Sequence, residues 1–307
     1  MSSATQLADG TLGWLASNLD RFDPFSASAQ RGRGRKMKAV LELALLCHCA
    51  SRLDPVPGAL VDATGLLRAT WCNPDFPGLI AGCPPAVAGQ YTLIAAALAP
   101  PGGVSPQLRA ALGALARGGH LSPRGKSPYG RLETRFYADT AGLAHAIEPY
   151  PRLIERCILV SQPSAFPPTT GQAYEITHTS FYITDFGGNE PGCSPAMLTA
   201  ARDLIRRVLA HAVQEALWDL AAELLLAWAC LGLDPAGTNE GQAAMASLAR
   251  AQLPDGSIPG RSAATRAASA PGTLEFFATA YHTTLVTALM SLVIGAGRRV
   301  LATSEGR

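Results

Sequence analysis

Apolar residues recur at helical spacing along almost the whole chain. Segments with apolar side chains three or four positions apart alternate with stretches rich in Pro and Gly, and clear strand alternation is scarce. The pattern therefore predicts twelve helices. They cover residues 12–22, 37–52, 61–71, 90–98, 106–117, 131–146, 153–160, 173–186, 195–211, 215–231, 239–252 and 273–295.

The twelve helices fall into six consecutive pairs whose two members differ in character. The first member is amphipathic: residues 195–211 carry Arg202, Asp203 and Arg206 beside an apolar face. The second is apolar nearly all round, as in 217–231, and such a helix must be covered on several sides. Six outer helices around six inner ones satisfy both patterns, so we predict an all-α fold, an α/α toroid that forms one domain over residues 1–307. An open solenoid is the alternative, but it exposes its inner layer.

One loop supports the toroid. Gln252 is followed, after two residues, by Asp255, Gly256 and Ser257. Apart from being one residue shorter, this resembles the Gln-x-x-x-Asp-Gly-Ser loops that close repeats in the toroids of terpenoid cyclases and protein prenyltransferases. The Asp-x-Asp-Asp acid motif of the triterpene-type cyclases is absent from the sequence. The resemblance therefore concerns the fold and not the chemistry.

The segment 173–186 is the least regular of the predicted helices. It is rich in Tyr, Ile and Thr, residue types that favour strands. Alternation does not separate its apolar from its polar residues, and the repeat places an inner helix there. We predict a helix, because local β-propensity is often overridden by tertiary context.

The charge of the chain indicates which classes of binding partner are expected. The chain has a net charge of +2, so electrostatics gives no footprint for nucleic acid or for an anionic membrane. A short basic run at 31–38 is interpreted as a solvated connection, with phosphate contact as the alternative. We expect a small-molecule substrate as partner, no nucleic acid and no membrane, and the sequence does not specify an oligomeric state.

Targeting signals and cysteine usage favour a cytoplasmic protein. The first 25 residues lack the basic start and apolar run of a signal peptide, and the most apolar stretch, 276–295, is interrupted by His282 and several threonines. We predict that this stretch is a buried helix. Seven scattered cysteines, an odd number, fit free thiols in a reducing compartment.

Polar residues on the inner helices are the candidates for function, because charged groups are almost never buried without a partner. Their spacing places several of them on shared helix faces, and parallel inner helices gather them near one mouth of the ring. The candidate catalytic residues are His178, His282, Asp185, Asp219, Glu223 and Tyr182. Glu133, Tyr137 and Thr140 share a face in 131–146, where Arg135 and Asp139 are spaced to pair.

Three interpretations of this cluster stay open. In the first, His178 and His282 bind a divalent metal with a carboxylate from Asp185, Asp219 or Glu223, with Asp185 as the leading candidate; two imidazoles and a carboxylate suit Zn²⁺ or Fe²⁺. In the second, a histidine acts as general acid or base, with its tautomer set by a neighbouring carboxylate, and Tyr182 or Tyr281 donates to the substrate. In the third, the groups form a buried network that links helices.

Two segments, 177–187 (THTSFYITDFG) and 281–284 (YHTT), resemble a family of uncharacterised bacterial proteins whose members tend to be encoded among natural-product biosynthesis genes. The resemblance implies a cytoplasmic tailoring enzyme and marks His178, Asp185 and His282. We expect an enzyme that acts on a substrate in the central cavity by cyclisation, elimination or hydrolysis. The alternatives are a non-catalytic carrier of small molecules and a helical scaffold for a partner enzyme.

Overall fold

The computed structural model describes residues 2–26, 33–260 and 272–304, with the side chains of 33–35 and 297–304 excluded. These residues form fourteen α-helices and no strand, so the predicted all-α class is confirmed. The closed α/α toroid stays a prediction. The helices are α1 Ser3–Ser17, α2 Arg33–Ala50, α3 Gly58–Cys72, α4 Phe76–Ala81, α5 Pro85–Ala97, α6 Pro106–Arg117, α7 Pro128–Thr140, α8 Tyr150–Ile154, α9 Ile158–Ser161, α10 Thr170–Thr184, α11 Pro195–Gln214, α12 Trp218–Cys230, α13 Asn239–Ala251 and α14 Leu274–Ser304.

The chain divides into two compact units. One contains residues 15–148, and the other joins the first fourteen residues to residues 149–307. In the first unit α5 is central and packs against α2, α4, α6 and α7. There the indole of Trp71 donates to Ala95 O at 2.8 Å and its ring packs on Phe76 at 4.5 Å. The predicted Arg135–Asp139 pair forms in α7, at 3.2 Å.

In the second unit α12 is central and packs against α10, α11, α13 and α14. Its residues from Leu220 to Trp228 are buried without interruption, as expected for a helix that is apolar on every side. The early part of α1 belongs to this unit, because Gln252 donates to Leu7 O and Gly10 packs against the 252–257 loop. Asp255 accepts from the backbone and hydroxyl of Ser257, which closes the loop before α14.

Helices α10, α12 and α14 run in the same direction. At one level, Glu223 of α12 contacts Thr177 of α10 and His282 of α14. At another level, Gly187, just after α10, packs near Cys230 of α12 and Val293 of α14. A Cβ added to Gly187 would lie 3.8 Å from Cys230 Cα and 3.9 Å from Val293 Cγ1. The second level is C-terminal to the first on all three helices, so groups at equivalent heights meet side by side.

Several predicted boundaries need correction. The helix predicted at 131–146 ends at Thr140, because Gly142 takes a left-handed conformation and Leu143 donates to Ala138 O in a Schellman-type stop. The helix predicted at 153–160 is two single turns, α8 and α9, separated where the backbone at Cys157 is extended. Helix α4 was not predicted; Pro77 near its start is compatible with a first turn.

The segment 173–186 is helical, as predicted, and forms α10. Thr169 caps the helix: its hydroxyl accepts from the backbone N–H of Gln172, and the Gln172 side chain accepts from the Thr169 N–H. Ala173 and the residues from Ile176 onward, His178 apart, are buried. A capped helix start and burial within the unit thus override the β-propensity of the Tyr, Ile and Thr residues.

The most apolar stretch of α14 is a core helix. Leu274–Ala296 is the one described segment that is long and apolar enough to cross a membrane, but 67% of its apolar window is buried within the protein, where it packs along α12. All seven cysteines are free thiols, as predicted. Part of the basic run lies outside the described residues; within it, Lys36 donates to Ser26 and Lys38 pairs with Glu42 at 3.4 Å.

Candidate functional site

The site is organised around one buried carboxylate. Glu223 lies in the middle of α12 among leucines and alanines and is 2% exposed. A carboxylate removed from water in this way is costly unless hydrogen bonds and opposite charge compensate it. The residues that contact Glu223 are therefore expected to supply those hydrogen bonds and that charge.

Each oxygen of Glu223 faces a histidine. Oε2 accepts a hydrogen bond from the Thr177 hydroxyl at 2.7 Å and lies 3.6 Å from Nδ1 of His178. Oε1 lies 3.5 Å from Nε2 of His282. One carboxylate thus holds α10 and α14 to α12, and it brings together two imidazoles that are 104 positions apart in the sequence.

The electrostatics of Glu223 follow from these contacts. Burial is the largest influence and by itself raises the pKa of the carboxyl. The charge of His178, the hydrogen bond and charge of His282, and the Thr177 hydroxyl oppose it, and together they hold the pKa of Glu223 below its ordinary value. The group is therefore a carboxylate at neutral pH.

The hydrogen bonds of His178 fix its tautomer. Nδ1 lies 2.9 Å from the backbone carbonyl of Tyr174, one turn earlier on α10, and a carbonyl oxygen only accepts. Nδ1 therefore carries the proton, with the Thr177 hydroxyl 3.1 Å away. In neutral His178 the basic lone pair is on Nε2. His178 and His282 are 29% and 27% exposed, so both rings reach the surface of the unit from a buried anchor.

Aromatic rings pack around both histidines. Phe181 and Tyr182 lie 5.4 and 6.0 Å from the His178 ring, centroid to centroid. Tyr281 lies 6.5 Å from the His282 ring, and stacks in turn on Phe277 at 5.5 Å. These rings are buried, so they restrict the movement of the imidazoles and exclude water from the carboxylate below.

The remaining predicted residues are not all at this site. Asp219 lies one turn before Glu223 and accepts from the Tyr174 phenol at 2.5 Å. Asp185 follows the end of α10, seven residues and a rise of about 10 Å from His178. Its charge instead contributes, after burial, to raising the pKa of Cys230 to about 12. Tyr182 is 3% exposed and packs against His178.

The placement of Asp185 bears on the metal hypothesis. Among the residues that the structure describes, no three His, Cys, Asp or Glu side chains are grouped to hold a metal ion. Asp185 is not beside His178 and His282, and Nδ1 of His178 is bonded to a carbonyl. The carboxylate that joins the histidines is Glu223, and it meets them as an ion-pair and hydrogen-bond acceptor. The predicted ligand set His178, His282 and Asp185 is thus not assembled in these residues, whereas the alternative carboxylate Glu223 lies beside both histidines.

Two residues of the site were missed by sequence reasoning. Thr177 binds Glu223, and Tyr174 binds both His178, through its carbonyl, and Asp219, through its phenol. The available signal was spacing: Tyr174, Thr177 and His178 stand at i, i+3 and i+4, so they share one face of α10. Asp219 and Glu223, also four apart, repeat that spacing on α12.

The sequence matches one known protein family. A family model described as "Domain of unknown function (DUF6895)" matches residues 8–292. The chain belongs to the DUF6895 family. The DUF6895 match spans both compact units and includes every residue of the Glu223 site. Searches of curated proteins and of solved structures found no significant match.

Proposed function

We propose that this DUF6895 protein is a cytoplasmic enzyme of small-molecule biosynthesis, a tailoring enzyme that uses His178 and His282 as an acid–base pair. The observation that carries the proposal is the placement of two partly exposed imidazoles on the two oxygens of one buried carboxylate. Free thiols at all seven cysteines support a reducing compartment.

The charges at the site favour one proton shared between two histidines. A buried carboxylate is stabilised by one positive charge, and a second imidazolium beside it adds repulsion. In the proposed arrangement His178 is the neutral partner, with its Nδ1 proton on the Tyr174 carbonyl, and His282 is the imidazolium, which faces Glu223 through Nε2. The site then holds one base, Nε2 of His178, and one acid, Nδ1–H of His282.

This arrangement supports reactions that remove a proton at one atom and supply one at another. His178 accepts a proton from a carbon or hydroxyl of the substrate, or from the attacking water in hydrolysis, and His282 gives a proton to the leaving group or to the ring-closing atom. Afterwards His178 is the imidazolium and Glu223 still has one cationic partner. Elimination, cyclisation and hydrolysis all proceed by such a transfer, and none requires a redox change.

Untargeted conversion of metabolites tests the proposal. The wild-type protein and a His178→Asn/His282→Gln variant are each incubated with bacterial metabolite extracts, and the products are followed by mass spectrometry. The expected result is a new product that differs from its precursor by a gain or loss of water, or by rearrangement without a change of mass, and that the double variant does not form.

A matched control is the variant His120→Asn, in the unit that contains residues 15–148, where His120 contacts Gln90. It should convert the same compound as the wild type. Retention of an unchanged metabolite by both the wild type and the double variant, without conversion, would contradict the enzyme and favour a carrier. Equal conversion by the double variant would contradict the roles of the histidines.

A further inference from the structure

A small cavity lies between the first turns of α10 and α12 and the side of α11. Its volume is about 90 Å³, enough for a small organic molecule or several waters. Ala173, Val208, Leu217 and Leu220 form its apolar wall. The ionisable groups that face it are Tyr174, His211 and Asp219, so the recess presents a charged group beside an apolar wall, with polar and apolar surface in about equal parts.

Asp219 has a hydrogen-bond donor but no cationic partner in the described part of the chain. Its Oδ2 accepts from the Tyr174 phenol, and no described Lys, Arg or His lies within ion-pair distance of it. On α11, Arg207 pairs with Asp203 and stacks over Phe166. His211 also lines the cavity, and its ring packs edge-on against Phe166 at 6.1 Å.

The start of α12 compensates this carboxylate only in part. Asp219 lies in the first helical turn, where the helix dipole supplies roughly half of one positive charge. A half-buried carboxylate beside an apolar wall therefore keeps a net negative charge directed at the cavity. A ligand that carries one positive charge and a short apolar chain matches both surfaces.

We propose that this cavity is a binding site for a small primary ammonium compound, held by Asp219 with its carbon chain against Val208 and Leu220. The site is separate from the pair of histidines, because Asp219 and Tyr174 lie one turn before Glu223 and His178 on the same helices. Occupancy of this site does not depend on the reaction proposed above, so the two proposals fail independently.

Binding of n-propylammonium to the full-length protein, measured by ligand-observed NMR and calorimetry, tests this site. Propan-1-ol and propionate have the same chain length and serve as neutral and anionic probes. We expect saturable binding of n-propylammonium, with affinity at least roughly tenfold higher than that of propan-1-ol, since a hydrogen bond to a charged group gives about this preference. Propionate should not bind.

The variants Asp219→Asn and Asp203→Asn separate the carboxylate of the cavity from an exposed carboxylate of α11. Asp219→Asn should weaken n-propylammonium at least roughly tenfold, and Asp203→Asn should not change it. Tyr174→Phe breaks the hydrogen bond between the phenol and Asp219 but keeps the carboxylate, so it should retain binding. It is the control for the case in which Asp219→Asn lowers the melting temperature. Equal affinity for propan-1-ol, unchanged binding by Asp219→Asn, loss of binding by Tyr174→Phe, or absence of saturable binding would each overturn the proposal.

Discussion

The hydroxyl of Thr177 donates a 2.7 Å hydrogen bond to Oε2 of Glu223, and so joins α10 to the middle of α12. Both residues are buried, at 0% and 2% exposed. A hydrogen bond to a buried charge is stronger than one between neutral groups, and loss of the donor leaves the charge partly unsatisfied. This contact therefore couples the stability of the unit to the geometry of the site.

Replacement of Thr177 by Val should destabilise the protein by about 1.5–3 kcal/mol, because Val keeps the shape and removes the donor to Glu223. Thr177→Ser keeps the hydroxyl and should cost less. The control is Thr134→Val in α7, where the buried hydroxyl donates to Gly130 O of its own helix and no charge is involved. Urea unfolding measures all three variants, and a cost for Thr177→Val no larger than for Thr134→Val would contradict the assigned contact.

Much of this site follows from helical spacing, and the part that failed shows what spacing omits. Glu223, His178 and His282 were predicted to converge because inner helices that run the same way align polar groups at similar heights. Asp185 was predicted on the same face as His178, but residues that share a helix face can be far apart along the helix axis. Two turns of helix separate the two residues, so Asp185 lies beside Cys230 instead.

Thr177 shows the converse limitation. It lies beside His178 on one face of α10, but a shared face does not specify which side chain of another helix the two residues contact. The two oxygens and the length of the Glu223 side chain allow contact with both. Side-chain reach across an interface between helices is a tertiary property. It is not contained in the periodicity of either helix.

The acid limb of the stability profile should depend on Glu223. Its pKa is lower in the folded protein than its unperturbed value of 4.5, because the histidines and Thr177 outweigh burial. The stabilisation is therefore fully present above the unfolded pKa and is lost as pH falls through the folded pKa. Unfolding free energies of the wild type and Glu223→Gln, measured from pH 6 to about pH 3, should converge as pH falls. A constant difference across this range would refute the linkage.

Gly256 should not tolerate a side chain. Its φ is +88°, and a Cβ there lies 2.0 Å from Gly10 O, where the loop after α13 packs against α1. Gly256→Ala should cost at least about 3 kcal/mol, from the left-handed backbone and from displacement of Gly10. Gly102, with φ +78° and no atom within 4 Å of an added Cβ, is the control. Gly102→Ala should cost only about 1–2 kcal/mol. Similar melting temperatures for the two variants would contradict the close contact with Gly10.

Removal of metal should leave the proposed reaction unchanged. Nδ1 of His178 is bonded to a carbonyl, and Nε2 of His282 faces the carboxylate of Glu223. Both histidines are therefore oriented by hydrogen-bond acceptors. Conversion of the compound identified in the metabolite screen should be the same before and after dialysis against a chelator. Loss of conversion, with recovery on addition of Zn²⁺ or Fe²⁺, would instead support metal-assisted chemistry at His178 and His282.

Amide substitutions distinguish catalysis from structure at the two histidines. The Asn side-chain nitrogen approximates Nδ1 of a histidine, and the Gln nitrogen approximates Nε2. His178→Asn therefore keeps a donor to the Tyr174 carbonyl, and His282→Gln keeps a donor to Glu223. Each variant should unfold within about 1 kcal/mol of the wild type, because the anchoring bonds remain.

Each variant should nevertheless lose conversion by a factor of roughly 10²–10⁴, because an amide has no titratable nitrogen to transfer a proton. The swapped substitutions, His178→Gln and His282→Asn, remove the donor next to the acceptor and should lower stability as well as conversion. Stability and conversion are measured on the same preparations. If the anchored variants lost stability and kept conversion, the histidines would be a structural link between α10, α12 and α14.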